Sequence, residues 1–276
     1  MIIVIGGVVV AVRRLFGCLG TVAVAAAAVL VPASTASAGP VALASRATGY
    51  DVSYPQCGAP LPSRGTFGVV GVDGGKPFHP NPCLAEQITW ARTMGKPAYY
   101  LNTANPGPRL SSFWPLGQQH PRTCTRAHPD SAGCAFDYGW NAAKDALARA
   151  RAAASSVAAA AVTETTWWLD VETSNTWESL EYGETRKYLR NDVAVLRGMT
   201  ALLERRGVHR VGVYSTAHQW ERITGGVSLD RAHVWYAGVG TRKAAARKCS
   251  PAHSFTGGRV RLAQFARDGF DANLRC

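Results

Sequence analysis

Eight short runs rich in Val, Tyr and Trp recur along the chain, at 49–53, 67–73, 97–102, 166–172, 208–215, 233–237, 259–265 and 270–273. Stretches with helical character separate several of them, at 84–94, 138–154 and 184–206; the last is followed by Gly207, a residue type that closes helices. Strands alternating with helices need crossover connections and hence a parallel sheet. Eight is the strand number that closes such a sheet on itself. The expected fold is therefore α/β, a (β/α)8 TIM-like barrel. Helical signals thin out after about Trp220, so the final third should be mostly strand and loop. No Pro/Ser-rich linker and no repeat interrupts the chain, which is read as one domain over 39–276. The alanine-rich "ALARARAAASSVAAAA" reads as a solvent-facing helix. The segment 103–133 reads as an excursion on the third βα loop, at the face where barrels build their sites.

The first 38 residues are read as a signal peptide. Arg13 and Arg14 precede an apolar run over 15–31, and Ala36-Ser37-Ala38 is a small-x-small cleavage site. An uncleaved anchor is the rival reading of this segment. Removal of Cys18 with the signal leaves six cysteines, an even number that suits disulfides in an exported chain. Many connectivities are open to six cysteines; the expectation is nearest-neighbour pairing, Cys57–Cys83, Cys124–Cys134 and Cys249–Cys276. The formal charge is +12, of which Arg13 and Arg14 contribute two units. A basic exported protein is drawn to anionic polymers such as a bacterial wall. The basic residues are dispersed and no nucleic-acid motif is present, so nucleic acid is not an expected partner. The mature protein is expected to be secreted, wall-associated and monomeric, without stable membrane insertion.

The chemistry is concentrated in "TTWWLDVETSNTW", residues 165–177. Side chains alternate along a strand, so Trp168, Asp170 and Glu172 share one face while Trp167, Leu169 and Val171 share the other. The second set suits packing on outer helices; the first then points inward, with the acids at the C-terminal mouth. Their Cα atoms would stand roughly 6.5–7 Å apart. Each carboxylate raises the proton affinity of the other, and apolar neighbours raise it further, which is how an acid stays protonated near neutral pH. A pair of acids neutralised by arginine, or binding calcium, is the alternative. Acids also close other strands: Asp51, Asp73 and Asp271. Tyr100, Tyr214, Trp235, Tyr236 and Trp177 could cover the flat C–H faces of sugars, or be core instead.

Serine chemistry lacks a G-x-S-x-G elbow. The seven histidines form no H-x-x-x-H pair and no C-x-x-C occurs, so neither metal nor cofactor is expected. "GVDGGKP" fails as a phosphate loop at Pro77.

"YDVS", "LDVE", "VGVYS", "VWYAG" and the terminal "LAQF…GFDAN" occur in that order. Together they resemble family 25 glycoside hydrolases, secreted lysozymes that cut the N-acetylmuramic acid–N-acetylglucosamine backbone of peptidoglycan. The resemblance spans residues 51–273 and implies a flattened barrel short of helices late in the chain. It makes Glu172 the general acid and Asp170 its partner, which orients an N-acetyl group or stabilises positive charge. Asp51 and Asp271 become supporting carboxylates, and Tyr214, Trp235 and Gln264 wall residues. Asp73, Tyr100, Trp168, Trp177 and Asn273 complete the expected substrate-binding set. Three positions depart from the family pattern: "GVDGG" replaces a Lys-x-Thr-Glu-Gly-like strand, "YYLN" lacks the usual histidine, and Ala263 stands where a tryptophan commonly precedes the glutamine. Active hydrolase, catalytically silent wall-binding barrel and hydrolase of another polysaccharide all remain open, as does the choice between retention and inversion.

Overall fold

The structure, a computed structural model, describes residues 47–155, 158–229 and 232–276. The expected signal peptide lies outside them. Strands β1 (Thr48–Val52), β2 (Gly68–Gly71), β3 (Ala98–Asn102), β4 (Thr166–Asp170), β5 (Arg210–Ser215), β6 (His233–Val239), β7 (Val260–Arg267) and β8 (Phe270–Arg275) close into a barrel in chain order. From β1 to β7 each strand pairs in parallel with the next.

The (β/α)8 expectation needs correcting at both ends of the barrel. β8 runs antiparallel to β7 and to β1. Only Asp268 and Gly269 lie between β7 and β8, with φ values of 52° and 78°. A two-residue turn of this kind can join only antiparallel neighbours, since a parallel return needs a long crossover. Between β1 and β2 the connection is a 3-10 turn, Tyr54–Gln56, and loop, with no α-helix.

Seven helices dress the remaining connections among the described residues: α1 (Leu84–Thr93), α2 (Gly107–Leu110), α3 (Ala132–Ala153), α4 (Glu178–Tyr182), α5 (Arg186–Arg205), α6 (Ala217–Thr224) and α7 (Arg242–Lys248). α3 begins earlier than its sequence pattern suggested because Ser131 caps it, accepting the Cys134 N–H. The late helices α6 and α7 are short, each started by a threonine, Thr216 and Thr241, whose hydroxyl accepts a first-turn N–H. Thinning of the helical layer is thus real, although two short helices persist where none was expected.

β4 shows how the sheet divides its side chains. Trp167 and Leu169 are fully buried in the outer layer with Leu196, Met199, Leu202 and Leu203 of α5. Trp168 packs inside the barrel with Phe67, Val69, Trp235 and Leu262. Its indole has room because Gly212 sits opposite on β5: a Cβ there would lie 2.3 Å from the Trp168 ring. The cysteines pair as nearest neighbours, Cys57–Cys83, Cys124–Cys134 and Cys249–Cys276, with Cα separations of 5.6, 4.6 and 5.1 Å. The second bridge ties the long loop after β3 to the first turn of α3. The third ties the end of α7 to the end of β8.

Candidate active site

The C-terminal ends of β1 to β7 form one mouth, and the reversal of β8 brings its beginning, rather than its end, to the same place. Asp51 and Asp271 are consequently in register across β1 and β8. Asp170 is the last residue of β4 and is 6% exposed. Glu172 lies just past the strand and is half-buried. The Val171 N–H still bonds the Tyr214 carbonyl at 2.9 Å, so strand-like pairing continues between the two acids.

Asn102 donates its side-chain amide to Asp170 Oδ2 at 2.7 Å, while the other Asp170 oxygen is buried without a protein partner. The Thr103 hydroxyl and the Asn175 amide hold the Asp170 backbone carbonyl, at 2.5 and 3.2 Å. Trp177 Nε1 donates to the Glu172 carbonyl at 2.8 Å, and the Gln219 side chain meets the Glu172 carboxyl. Among the described residues no lysine or arginine forms an ion pair with either acid.

Burial without a counter-cation decides the protonation. It pushes Asp170 well above the usual carboxylate range, with Glu172, Asp73 and Asp51 adding repulsion in that order. Burial also raises Glu172, while its contacts with Gln219 and Asp170 oppose the rise and the Asp271 charge assists it. Both carboxyls are therefore displaced toward their protonated forms, Asp170 well above the usual range and Glu172 in the same direction. Glu172, the more accessible member, faces the solvent side of this pair.

A second carboxyl is held by side-chain amides. Asn273 Nδ2 donates to Asp51 Oδ1, and Gln264 Nε2 reaches both Asp51 oxygens at 3.3 and 3.2 Å. Each amide is itself oriented: Trp235 Nε1 donates to Asn273 Oδ1 at 2.6 Å, and Tyr214 OH and the Gly238 N–H donate to Gln264 Oε1 at 2.8 and 3.1 Å. Burial, then the Asp271 charge, lifts Asp51 to about 7 despite these donors. Asp73 is also buried and raised, its carboxylate accepting the Asn102 N–H at 3.0 Å.

The expected wall residues divide into two groups. Tyr100 and Tyr214 are partly exposed at the mouth. Trp168, Trp235 and Asn273 are buried posts inside the barrel, and Trp177, 1% exposed, packs in the outer layer and steadies the Glu172 loop from behind. Residue spacing assigned these side chains to strand ends without telling rim from interior. Several residues at the mouth escaped notice altogether. A hollow of about 380 Å³ is lined by Lys76, His79, Thr103, Phe113, Asn175 and Thr176 among others; none of the acids lines it, and Thr103 and Asn175, which hold the Asp170 carbonyl, connect it to them. Phe113 is 48% exposed and stacks on Phe78 at 4.4 Å, and Tyr54 stands exposed over Gly75 nearby. The only advance signal for Phe113 was its place in the long loop after β3.

A family model described as lysozyme-like protein 1 matches residues 140–257, which contain β4 and the acid pair. No curated protein matches the chain. Among solved structures, the chain is similar to a family GH25 lysozyme from Aspergillus fumigatus, at 15% identity over 84% of this chain and 94% of that one, TM-score 0.51. It is also similar to the modular autolysin LytC from Streptococcus pneumoniae, at 12% identity over 83% of this chain and 46% of that one, TM-score 0.50.

Proposed function

We infer that this chain, a lysozyme-like protein of the family 25 glycoside-hydrolase superfamily, is a secreted glycosidase that cleaves the glycan backbone of peptidoglycan. The observation that carries the reading is the Asp170–Glu172 pair at the end of β4: two carboxyls raised by burial, with no lysine or arginine paired to them among the described residues, at the same mouth as Asp51 and Asp271. Glu172 protonates the glycosidic oxygen as the bond from that oxygen to the anomeric carbon breaks. Positive charge then develops on the sugar ring, the carboxylates of the cluster stabilise it, and a water molecule completes the hydrolysis by adding its oxygen at the anomeric carbon and returning a proton to the cluster. Burial, assisted by the Asp271 charge, helps keep that proton on Glu172, and the buried Asp170 stands beside it as its partner. Tyr100, Tyr214 and Phe113 offer faces to the sugar rings. Secretion is supported by the three disulfides.

The test is release of reducing ends from purified cell walls by wild type and by Glu172→Gln. Loss of about 10²–10⁴-fold in the variant, with an unchanged melting temperature, supports general-acid catalysis. Wild type inactive on every peptidoglycan tried would overturn the reading. A second reading, a catalytically silent wall-binding barrel, is favoured by one observation: both Asp51 oxygens are engaged by protein amides rather than open to a ligand. It predicts saturable wall binding that Glu172→Gln leaves intact, with no release of reducing ends by either protein.

A further inference from the structure

The opposite end of the barrel, where β1 to β7 begin, carries the reverse charge. A hollow of about 790 Å³ there is lined by Lys96, Arg210, His233, Arg261 and Arg275, with Trp168 at its inner wall. A neighbouring hollow of about 1010 Å³ shares His233 and Arg261 and adds Arg259. Neither lining contains an Asp or Glu among the described residues. Lys96 is paired with Glu164 at 3.1 Å, but the four arginines form no ion pair among the described residues; Arg275 lies over the Phe67 ring at 4.6 Å. Arg210, Arg261 and Arg275 are mounted on the ends of β5, β7 and β8, so their spacing is set by the sheet, and Arg259 immediately precedes β7.

Two further observations point to a ligand. Trp168 is 3% exposed, lines this hollow, and its indole N–H is buried with no hydrogen-bond partner. His233 Nδ1 is likewise buried and unpartnered. A buried indole N–H left without an acceptor, beside an array of guanidinium groups, is costly unless an anion serves it. Guanidinium forks match phosphate oxygens in pairs.

We propose that this end of the barrel is a second site, which binds the phosphodiester groups of an anionic wall polymer. The choice of a wall polymer rests on the function proposed above; the site itself does not. Nucleic acid shares the phosphodiester, but single strands are gripped by stacking bases on exposed rings. Among the described residues, the exposed large hydrophobics, Tyr54, Leu110, Phe113 and Leu116, all lie in the connections after β1 and β3, at the acidic end. The two sites thus lie at opposite ends of one barrel, one gripping the wall while the other faces a glycan strand.

The experiment titrates the protein with a synthetic poly(glycerol phosphate) oligomer, reading tryptophan emission and repeating the titration at several salt concentrations. The proteins are wild type, Glu172→Gln, the double variant Arg210→Ala/Arg261→Ala, and a control double variant of equal charge, Arg190→Ala/Arg197→Ala, on the exposed side of α5. All four changed arginines are exposed, so folding should survive, and a thermal melt verifies it. Expected are equal binding by wild type and Glu172→Gln, about ten-fold or greater loss with a shallower salt dependence in Arg210→Ala/Arg261→Ala, and less than about two-fold loss in the control. Equal losses in both double variants would reduce the effect to net charge and overturn the proposal. So would tighter binding of a single-stranded DNA of matched charge, or no binding of the oligomer. Because the readout needs no hydrolysis, a failed lytic assay and a failed binding assay are separately visible.

Discussion

Asn102 donates through its side chain to Asp170 at 2.7 Å and through its backbone to Asp73, fastening two buried carboxyls to one residue. A donor to a carboxylate favours its ionised form. Asn102→Ala should therefore raise the apparent pKa of the Asp170–Glu172 pair and lower kcat/KM by roughly ten-fold. A pH–rate profile checks this: the limb set by the pair should move upward in the variant. An unmoved limb would remove Asn102 from the proton economy of the site.

Stability should fall as pH rises from about 4 toward 7. Asp51 titrates near 7 in the folded chain and near 4 when unfolded, so between these values the folded state holds the extra proton. Its ionisation in the folded protein occurs against burial and is complete only above pH 7. Asp192, fully buried beside Glu178, behaves alike and is also lifted to about 7. His233 and His253 are shifted down, so their effect has the opposite sign but is finished by about pH 7. Melting temperature should accordingly drop between about pH 4 and 7 and level off above about pH 8, and the slope should flatten in Asp51→Asn whatever the absolute stability of that variant.

Gly212 tests the packing inside the barrel. A methyl group there meets the Trp168 ring at 2.3 Å, and the ring is hemmed in by Trp235 at a centroid distance of 5.7 Å. Gly212→Ala should destabilise the fold by about 1–3 kcal/mol in urea unfolding.

Phe113 is the exposed ring nearest the hollow and rests on Phe78. Phe113→Ala should raise KM for soluble glycan fragments roughly five-fold, about 1 kcal/mol of lost stacking, with little change in kcat or melting temperature. Steady-state kinetics separate the two parameters.

The Cys249–Cys276 bridge closes a span of 27 residues. Removing it by a paired change to serine should cost about 3 kcal/mol, or roughly 6–12 °C in melting temperature for a domain of this size.

Much of this architecture could be read from the chain. Alternation in "TWWLD" divided Trp167 and Leu169 from Trp168 and Asp170 correctly, because a strand between a helical layer and a barrel interior has two different apolar demands. Cysteine pairing followed from short separations along the chain. Strand direction did not emerge, since counting apolar runs ignores polarity, although Asp268-Gly269 between two such runs is a hairpin signal. The fate of the tryptophans was equally hidden: Trp177 and Trp235 look like sugar platforms by type, and only the third dimension shows their N–H groups turned to Glu172 and Asn273. Asn102 and Phe113 belong to the same category, an amide and a ring made relevant by neighbours distant in sequence.

The reversed last strand has one more effect. Leu274 pairs with Thr48, and the Arg275 N–H bonds the Ala47 carbonyl at 2.9 Å, so residues 47 and 276 emerge side by side at the basic end. A short splice between them would yield a circular permutant whose new ends open in a surface loop, and cargo joined directly at residue 47 or 276 would start from the end opposite the acidic mouth.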